Sequence, residues 1–433
     1  MSVSVYAPTH GANDLDARSV LRRIPQSPTG ELLVPDLLTR ELIQNSLDAW
    51  DGKSTNVSVA ISFNTAEAVP KMGLQEFLGD HLLGKWLTER LGANYFILRI
   101  RDGGTFGLTG GLGPAGGQES GDRFRRVVFR YGIPDDAGGR GGSWGLGGKT
   151  MALGAAPSTG LVIYWSRPSD GGKPRLIGVH CHAHPAKSPT GNECPRGFAW
   201  WGKEAGDSVA GFEGEEAEAW AAKLGLHLDK DWRGTEILIP MRPDDAATFL
   251  AAHPRSDEDT IGELPGLNRP LANADAVAAA TNTLTRCARR WYWPRILHVP
   301  REITQQLPIG GRTRLQVEVN GEKVELAASP LYSRFANLYL ESFSPERSTE
   351  LKGQRYGAYS LGRISRRSFH AREVAADLVK EWSREARWLG FDSIDDARPE
   401  WTVATIRGHG LVHAYRLRTG MRPAERSDGF LAL

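Results

Sequence analysis

Cysteine is scarce in this sequence of 433 residues, which contains Cys181, Cys194 and Cys287. An odd and sparse set of thiols does not form a disulfide framework, so we expect reduced cysteines and a cytoplasmic protein. Long apolar runs are lacking as well: no segment approaches the roughly 18 residues that a membrane span needs. The first residues show no basic stretch followed by an apolar one, so we expect no secretory leader and no membrane partner.

The net charge is small, at +2, but it is unevenly distributed along the chain. Residues 282–433 contain 25 Lys and Arg against 17 Asp and Glu, whereas the preceding residues contain 28 against 34. A basic segment can bind nucleic acid or another anionic partner, although coding bias alone also enriches arginine. Trp291, Tyr292 and Trp293 stand beside two arginines there and can stack on bases, but a core position is the more common one for such a cluster.

The length of the chain favours two or three domains. Region 241–273, which contains Pro, Asp and Asn, predicts a linker or domain boundary. The linker itself is expected at 246–273, between a domain at 1–245 and a basic α/β domain at 274–433. In the second part, residues 314–326 predict a hairpin because Asn320-Gly321 supplies the positive φ angles of a tight turn. Helices are predicted at 274–293 and 368–390. In the first part, alternating apolar residues predict strands at 56–63, 95–101, 160–166, 175–182 and 234–240.

An amphipathic helix is predicted at 35–50, with a proline suited to its first turn. Glu41, Asn45 and Asp48 are spaced at i, i+4 and i+7, which places them along one face. The adjoining apolar arc can bury against a sheet, so the polar stripe would border a pocket. Taken alone, the helix fits an ordinary solvated face equally well.

Asp102 stands directly after the strand at 95–101 and is followed by two glycines, the second of which is Gly104. An aspartate at a strand end can present its carboxylate to a ligand, and glycine lets the backbone come close to it. Thr235, near the start of a later strand, has no significance by itself. Taken separately, each stretch also fits a common turn or strand start.

Residues 141–150, GGSWGLGGKT, form a glycine-rich segment just before a short predicted helix. Successive glycines at a helix start can direct backbone N–H groups at a phosphate, and Lys149 adds a point charge. The segment does not fit the Walker phosphate loop, because the first glycine position of that motif falls on Ser143. A flexible surface loop is the other interpretation.

In this order, ELIQNSLDA, RDGGTFG, GSWGLGGKT and GTEILIP resemble the four motifs of the GHKL ATPases, which include DNA gyrase, heat-shock chaperones, histidine kinases and mismatch-repair proteins. The resemblance covers roughly residues 15–245. It implies an α+β fold of the Bergerat type, a two-layer sandwich in which helices cover a mixed, mostly antiparallel sheet, followed here by a second α/β domain. It also implies ATP and Mg²⁺ as cofactors.

The resemblance implies a role for each residue of the first two motifs. Glu41 would be the general base that deprotonates the attacking water, and Asn45 would supply an oxygen to Mg²⁺. Asp102 would accept a hydrogen bond from the amino group of adenine, with Gly104 making room for the base. Asp48 would support Asn45 or complete a local hydrogen-bond network.

The later motifs would hold the phosphates and complete the base pocket. Gly145, Gly147, Gly148 and Lys149 would bind the phosphates, and Thr235 would reach the adenine side through Asp102 or a water molecule. The segment 105–140 would be a lid over the nucleotide. Within it, a basic helix from Arg123 to Arg130 is expected to present a solvated face, with a partner contact as the alternative. Phe106 stands where many family members have Met, which would change the packing around the base.

A cluster of metal-binding residue types lies at 180–194, formed by His180, Cys181, His182, His184 and Cys194. It could hold zinc, but the three histidines alternate along one strand face and no Cys-x-x-Cys pair is present, which favours a structural role.

The function expected from the four motifs is ATP binding with Mg²⁺-dependent hydrolysis. Hydrolysis would drive a conformational or dimerisation switch that acts on a protein partner or a second copy, with DNA or a bacterial defence complex among the candidates. The alternative is a nucleotide-sensing or scaffold module that does not hydrolyse ATP.

Overall fold

The structure, a computed structural model, describes residues 3–6, 34–114, 121–129, 155–182, 186–187, 193–194, 197–251, 273–297, 314–341, 348–351, 354–358, 401–406 and 412–418. The helices are α1 Val34–Asp48, α2 Ala68–Leu78, α3 Leu82–Leu91, α4 Arg123–Val128, α5 Glu215–Lys223, α6 Pro243–Ala251, α7 Asn273–Ile296 and α8 Pro330–Glu341. The strands are β1 Ser4–Tyr6, β2 Asn56–Thr65, β3 Phe96–Gly103, β4 Leu161–Arg167, β5 Arg175–His182, β6 Ala186–Lys187, β7 Glu193–Cys194, β8 Gly197–Ala205, β9 Ser208–Ala210, β10 Phe212–Glu213, β11 Gly234–Met241, β12 Arg314–Val319, β13 Glu322–Lys323, β14 Ser348–Leu351, β15 Gln354–Ala358, β16 Trp401–Ile406 and β17 Val412–Arg418.

One large sheet organises the described part of the chain. Its strands lie in the order β1-β8-β5-β4-β11-β3-β2-β12-β13, with β9 paired to β8 and β10 paired to β5. These pairs are antiparallel except β12 with β2, which is parallel. A mixed, mostly antiparallel sheet covered by helices confirms the predicted α+β fold class and is consistent with a Bergerat-type fold.

The helix α1 packs on one face of this sheet through its predicted apolar arc. Leu38, Leu42 and Ile43 are buried in a core that also contains the alternate, inward-facing residues of β2, from Val57 to Phe63. Because side chains alternate across a strand, the intervening residues of β2 lie on the opposite, more exposed face. The amphipathic patterns of α1 and β2 therefore fix which side of each element faces the core.

A second group of helices covers the opposite face of the sheet, over strands β4, β5 and β8. The helices α2, α3 and α5 enclose a core around Trp86, Trp165, Trp201 and Trp220, each of them fully buried. Helices therefore lie on both faces of the sheet. No element was predicted at 68–91, where α2 and α3 lie.

The first part of the predicted linker at 246–273 is helical. Residues 243–251 form α6, which buries Phe249 and Leu250 against the main core. Pro243 and the acidic residues after it indicated a loop, but proline and acidic side chains are also favoured in the first turn of a helix. Residues 252–272 lie outside the described part of the chain.

Elements after residue 272 extend the same sheet and core. The strand β12 pairs in parallel with β2, so that Val317 lies opposite Val59. The helix α7 buries Trp291, Tyr292 and Trp293 against the core around α1, which confirms the core interpretation of that aromatic cluster. The predicted hairpin turn at Asn320-Gly321 is present, with positive φ at both residues.

Residues 273–326 thus add to the first core instead of starting another, while a division of the whole chain into two domains stays a prediction. The helix predicted at 368–390 lies outside the described residues. Within the described part of the chain, no helix combines the length and apolarity needed to cross a bilayer.

Candidate functional site

The polar stripe of α1 lies on the side of the helix that faces away from the core. Asn45 is exposed, whereas Glu41 and Asp48 are partly exposed. Gln44 donates a hydrogen bond from Nε2 to Oδ1 of Asp48 at 2.8 Å, across one helical turn. The stripe therefore presents one amide and two carboxylates beside the end of the sheet, and an amide oxygen with carboxylates is a donor set that suits a hard cation such as Mg²⁺.

The carboxylate of Asp102 lies where three of the predicted motifs meet. The Thr105 hydroxyl donates to Oδ1 at 2.7 Å, and the backbone N–H of Thr235 donates to the same oxygen at 2.8 Å. The Ser46 hydroxyl of α1 lies 3.2 Å from Oδ2. The structure therefore brings α1, the end of β3 and the start of β11 together around one acidic side chain.

The two oxygens of Asp102 are not equally satisfied. The single hydroxyl hydrogen of Ser46 is shared between Oδ2 of Asp102 at 3.2 Å and the Leu42 carbonyl oxygen at 3.0 Å. Since a carboxylate oxygen accepts about two hydrogen bonds, Oδ2 keeps capacity for a further donor. An amino group of a ligand is a donor of the required kind.

Burial changes the acidity of this carboxyl group. Burial raises the pKa of Asp102 to about 6, although the hydrogen bonds from Thr105, Thr235 and Ser46 lower it. Asp102 as a residue is partly exposed, but its carboxyl group is buried. The group is therefore ionised at neutral pH and gains a proton in mildly acidic solution.

Glycines bring the backbone close together around Asp102. Gly104 has φ of +72°, and a Cβ at this position would overlap the carbonyl oxygen of Asn56. A Cβ at Gly234 would lie 2.6 Å from Oδ1 of Asp102. The backbone itself therefore requires glycine at 104 and 234, while the expected role of Gly104 in making room for a base stays a prediction.

The loop after β3 is tied to the end of α1. Phe106 donates its N–H to the Ala49 carbonyl at 2.7 Å, and Asp51 donates its N–H to the Gly104 carbonyl at 3.3 Å. The indole of Trp232 donates to the Asp102 carbonyl at 2.7 Å. These bonds hold the loop and the helix together, which keeps Ser46 within reach of Asp102.

The described part of the predicted lid at 105–140 is packed against the sheet. Phe124 and Val128 of α4 are fully buried and fix one side of this helix, while the expected solvated face of its basic residues stays a prediction. Arg175 donates to the Gly110 carbonyl at 2.7 Å, and Trp200 donates to the Val128 carbonyl at 3.0 Å. Residues 130–140 lie outside the described part, and lid closure stays a prediction.

The basic side of α4 approaches the predicted base pocket. The Arg123 guanidinium lies 4.2 Å from the centre of the Phe106 ring, and its Nη1 donates to the Thr109 hydroxyl at 3.3 Å. A guanidinium over an aromatic ring is held there by the quadrupole of the ring. The position where many GHKL members have Met is therefore covered by an arginine in this chain.

Gly145, Gly147, Gly148 and Lys149 lie outside the described residues, and their roles in phosphate binding stay predictions. Among the described residues, no group of three or more His, Cys, Asp and Glu side chains could hold a metal ion. This finding does not test the predicted role of Asn45 as an Mg²⁺ ligand, because that role needs only one protein oxygen beside phosphates and waters. The role stays a prediction.

Two members of the 180–194 cluster have structural positions. The ring of His180 is buried between Trp86 and Trp201, and its Nδ1 lies 2.8 Å from the Thr159 carbonyl oxygen. Cys181 is buried on the other face of the sheet. The preferred structural role is confirmed for these two residues, because neighbours on a strand point in opposite directions and cannot share a ligand.

Sequence reasoning missed the hydrogen-bonding roles of Ser46 and Thr105. Both lie within the quoted motifs, and a hydroxyl three residues after Asp102 is a recognisable signal for a local side-chain hydrogen bond. It also missed Asp36, whose buried carboxylate binds Arg290 and Trp291 of α7. No sequence signal joins positions so far apart in the chain.

Comparison with known proteins gives limited information. No protein-family model and no curated protein matches this chain. Two solved structures of the Saccharomyces cerevisiae topoisomerase II ATPase region show similarity, one of them bound to ICRF-187 (dexrazoxane). The sequence identity is 9% for the complex and 10% for the other structure, with a TM-score of 0.26 in each case.

These matches cover 67% and 71% of this chain, and the chain spans about half of each matched one, 48% and 53% respectively. The function of this chain is therefore inferred from its own site.

Proposed function

We propose that this chain binds Mg-ATP and hydrolyses it, as an ATPase of the GHKL type. The Asp102 carboxylate carries this proposal: residues from three separate motifs surround it, and its Oδ2 keeps capacity for a ligand donor. In a buried site, a charged acceptor that is held in place binds an amino group strongly and selectively. Adenine carries an amino group at the position where guanine carries a carbonyl oxygen, so the proposed site favours ATP over GTP.

In this proposal, Glu41 and Asn45 serve the phosphate end of the ligand. Glu41 accepts a hydrogen bond from the attacking water and takes its proton, which requires an ionised carboxylate on the open side of α1. The exposed Asn45 offers an amide oxygen to Mg²⁺. Bound Mg²⁺ supplies charge neutralisation on the phosphates. Asp48, held by Gln44, keeps the stripe ordered beside Asn45.

The remaining predicted residues complete the binding site. Thr235 orients the Asp102 carboxylate through its backbone N–H and reaches the adenine side through this carboxylate or a water molecule. Gly145, Gly147 and Gly148 present backbone N–H groups to the phosphates, and the Lys149 ammonium offsets their charge.

Two substitutions separate binding from hydrolysis. Asp102→Asn replaces the charged acceptor by an amide, so we expect it to lower ATP affinity by about 10- to 100-fold, because a hydrogen bond to a charged group contributes about 1.5–3 kcal/mol. Glu41→Ala leaves the base pocket intact, so we expect ATP affinity within about threefold of wild type and loss of turnover. Calorimetry with Mg-ATP measures affinity, and phosphate release measures turnover. If Glu41→Ala lost ATP affinity while Asp102→Asn kept it, the assigned roles would be contradicted.

The proposal includes a switch between conformations or between monomer and dimer that acts on a macromolecular partner. Sedimentation velocity with and without a non-hydrolysable ATP analogue tests dimerisation directly. If wild type binds ATP but releases no phosphate, the enzyme proposal fails and a nucleotide-sensing module takes its place.

A further inference from the structure

The helix α7 is bonded to the first turn of α1, the helix that carries Glu41. Arg290 Nη1 and Trp291 Nε1 both lie 2.7 Å from Oδ1 of Asp36. The ion pair between Arg290 and Asp36 is almost completely buried, with 2% and 3% of the side chains exposed. Because a charge left without its partner in such surroundings is costly, these contacts keep the two helices together.

The next residue of α7, Tyr292, is bonded to the backbone beside Glu41. Its fully buried hydroxyl donates a hydrogen bond to the carbonyl oxygen of Arg40. A helical carbonyl oxygen has a second lone pair beside the one used within the helix, so this bond adds to the helical pattern. It holds the peptide unit from which Glu41 extends.

The charges of α1 also act on this tyrosine. Burial raises the pKa of Tyr292 well above its usual value, and the Glu41 and Asp48 carboxylates raise it further. The phenol therefore keeps its proton and remains a donor to Arg40. On the next turn of α7, Arg295 is buried, and Asp48 is among the groups that favour its charged form.

We propose that Tyr292 is a positioning residue for Glu41, an inference that rests on the proposed ATPase function. Tyr292 fixes the turn of α1 that carries the general base, and α7 thereby forms part of the hydrolytic site although it lies outside the four motifs. Since the position of a base relative to the attacked atom affects the rate more than the affinity, loss of this contact should affect turnover selectively.

The test compares Tyr292→Phe with Tyr332→Phe. Both variants remove one hydroxyl from a buried tyrosine, but Tyr332 packs on Phe335 of α8. For Tyr292→Phe we expect kcat to fall about tenfold, with KM and the calorimetric Kd for Mg-ATP within about twofold of wild type. For Tyr332→Phe we expect kcat, KM and Kd to stay within about twofold.

Amide hydrogen exchange gives a second measurement that needs no turnover. We expect faster exchange in residues 40–45 of Tyr292→Phe than in wild type, with no such change in Tyr332→Phe. Thermal unfolding of each variant checks that the fold is retained.

The outcomes separate the two proposals. If wild type shows no phosphate release, the proposed function fails, and this inference fails with it. If wild type turns over ATP and the two phenylalanine variants have equal kcat and equal exchange, this inference alone is overturned. A parallel loss of kcat and affinity in Tyr292→Phe would indicate a general packing role and would also overturn it.

Discussion

At the scale of single residues, Asp102 combines features that usually oppose each other. Hydrogen bonds from Thr105, Thr235 and Ser46 favour its ionised form, yet burial outweighs them and raises its pKa to about 6. Ionised Asp102 therefore costs folding free energy: this cost grows as the pH rises from the unfolded pKa, near 3.8, to about 6, and stays constant above. Carboxyl groups whose pKa is strongly raised by burial are found preferentially at binding and catalytic sites.

Nucleotide affinity should consequently depend on pH. A proton on Asp102 would occupy Oδ2, the oxygen that keeps capacity for the ligand amine, because Oδ1 already accepts two hydrogen bonds. Only the ionised form then accepts the ligand amine, so we expect binding to be about tenfold weaker at pH 5 than at pH 7.5. Calorimetry over this range measures the effect. Adenosine should be measured beside ATP, because it carries no phosphate that titrates between pH 5 and pH 7.5. A Kd for adenosine that does not change with pH would contradict the role of Asp102.

Part of this site could be predicted from residue patterns alone. The spacing of Glu41, Asn45 and Asp48 correctly indicated a polar stripe beside a buried arc, because helical periodicity follows directly from the backbone. The link between Thr235 and Asp102 was expected only from the family resemblance, and residue patterns did not indicate that its donor is the backbone N–H of Thr235 on a distant strand. Such a contact follows from strand order, which single-residue patterns do not specify.

At the scale of elements, α4 shows how a basic helix can be fixed in place. Asp122 caps its first turn, and Phe124 packs so closely on the backbone that a Cβ at Gly211 would lie 2.6 Å from the Phe124 ring. Its three arginines within six residues predict a solvated face, and two buried apolar residues one turn apart on the other side, Phe124 and Val128, determine its position.

Removal of the Phe124 ring should therefore destabilise the protein strongly. Phe124→Ala leaves a cavity between α4 and the sheet, and we expect the free energy of unfolding to fall by about 3–5 kcal/mol. Met72→Ala is the matched control: Met72 is 69% exposed on α2, so we expect a change within about 0.5 kcal/mol. Urea denaturation measures both. Equal effects would show that α4 is not anchored by Phe124.

Element boundaries were predictable wherever periodicity was strong. The predicted strands at 175–182 and 234–240 agree with the observed β5 and β11 within one residue. The helix α6 was missed because proline and aspartate at 243–245 fit a loop and a helix start equally well. Only the burial of Phe249 in the finished fold distinguishes the two.

At the scale of the whole molecule, the sheet joins segments that are far apart in sequence. The parallel pairing of β12 with β2 places Leu315 beside Val57, and α7 then covers α1. Parallel pairing requires a long crossover connection, and no local pattern indicates which strand a distant segment will join. The domain boundary expected at 246–273 stays a prediction, and the core around α1 includes residues of α8 such as Phe335.

A fragment that ends at residue 251 should accordingly fail to fold. It would expose the face of α1 around Leu37 that α7 covers, and it would leave the Asp36 carboxylate without Arg290. Loss of one partner of a buried ion pair alone costs about 3–5 kcal/mol, which is comparable to the net stability of many domains. We therefore expect residues 1–251 to show no cooperative thermal unfolding and no ATP-dependent stabilisation, whereas the full chain shows both. Differential scanning calorimetry of the two proteins, with and without Mg-ATP, makes the comparison. A fragment that unfolds cooperatively and gains stability from Mg-ATP would support the predicted boundary at 246–273 and would remove α7 from the hydrolytic site.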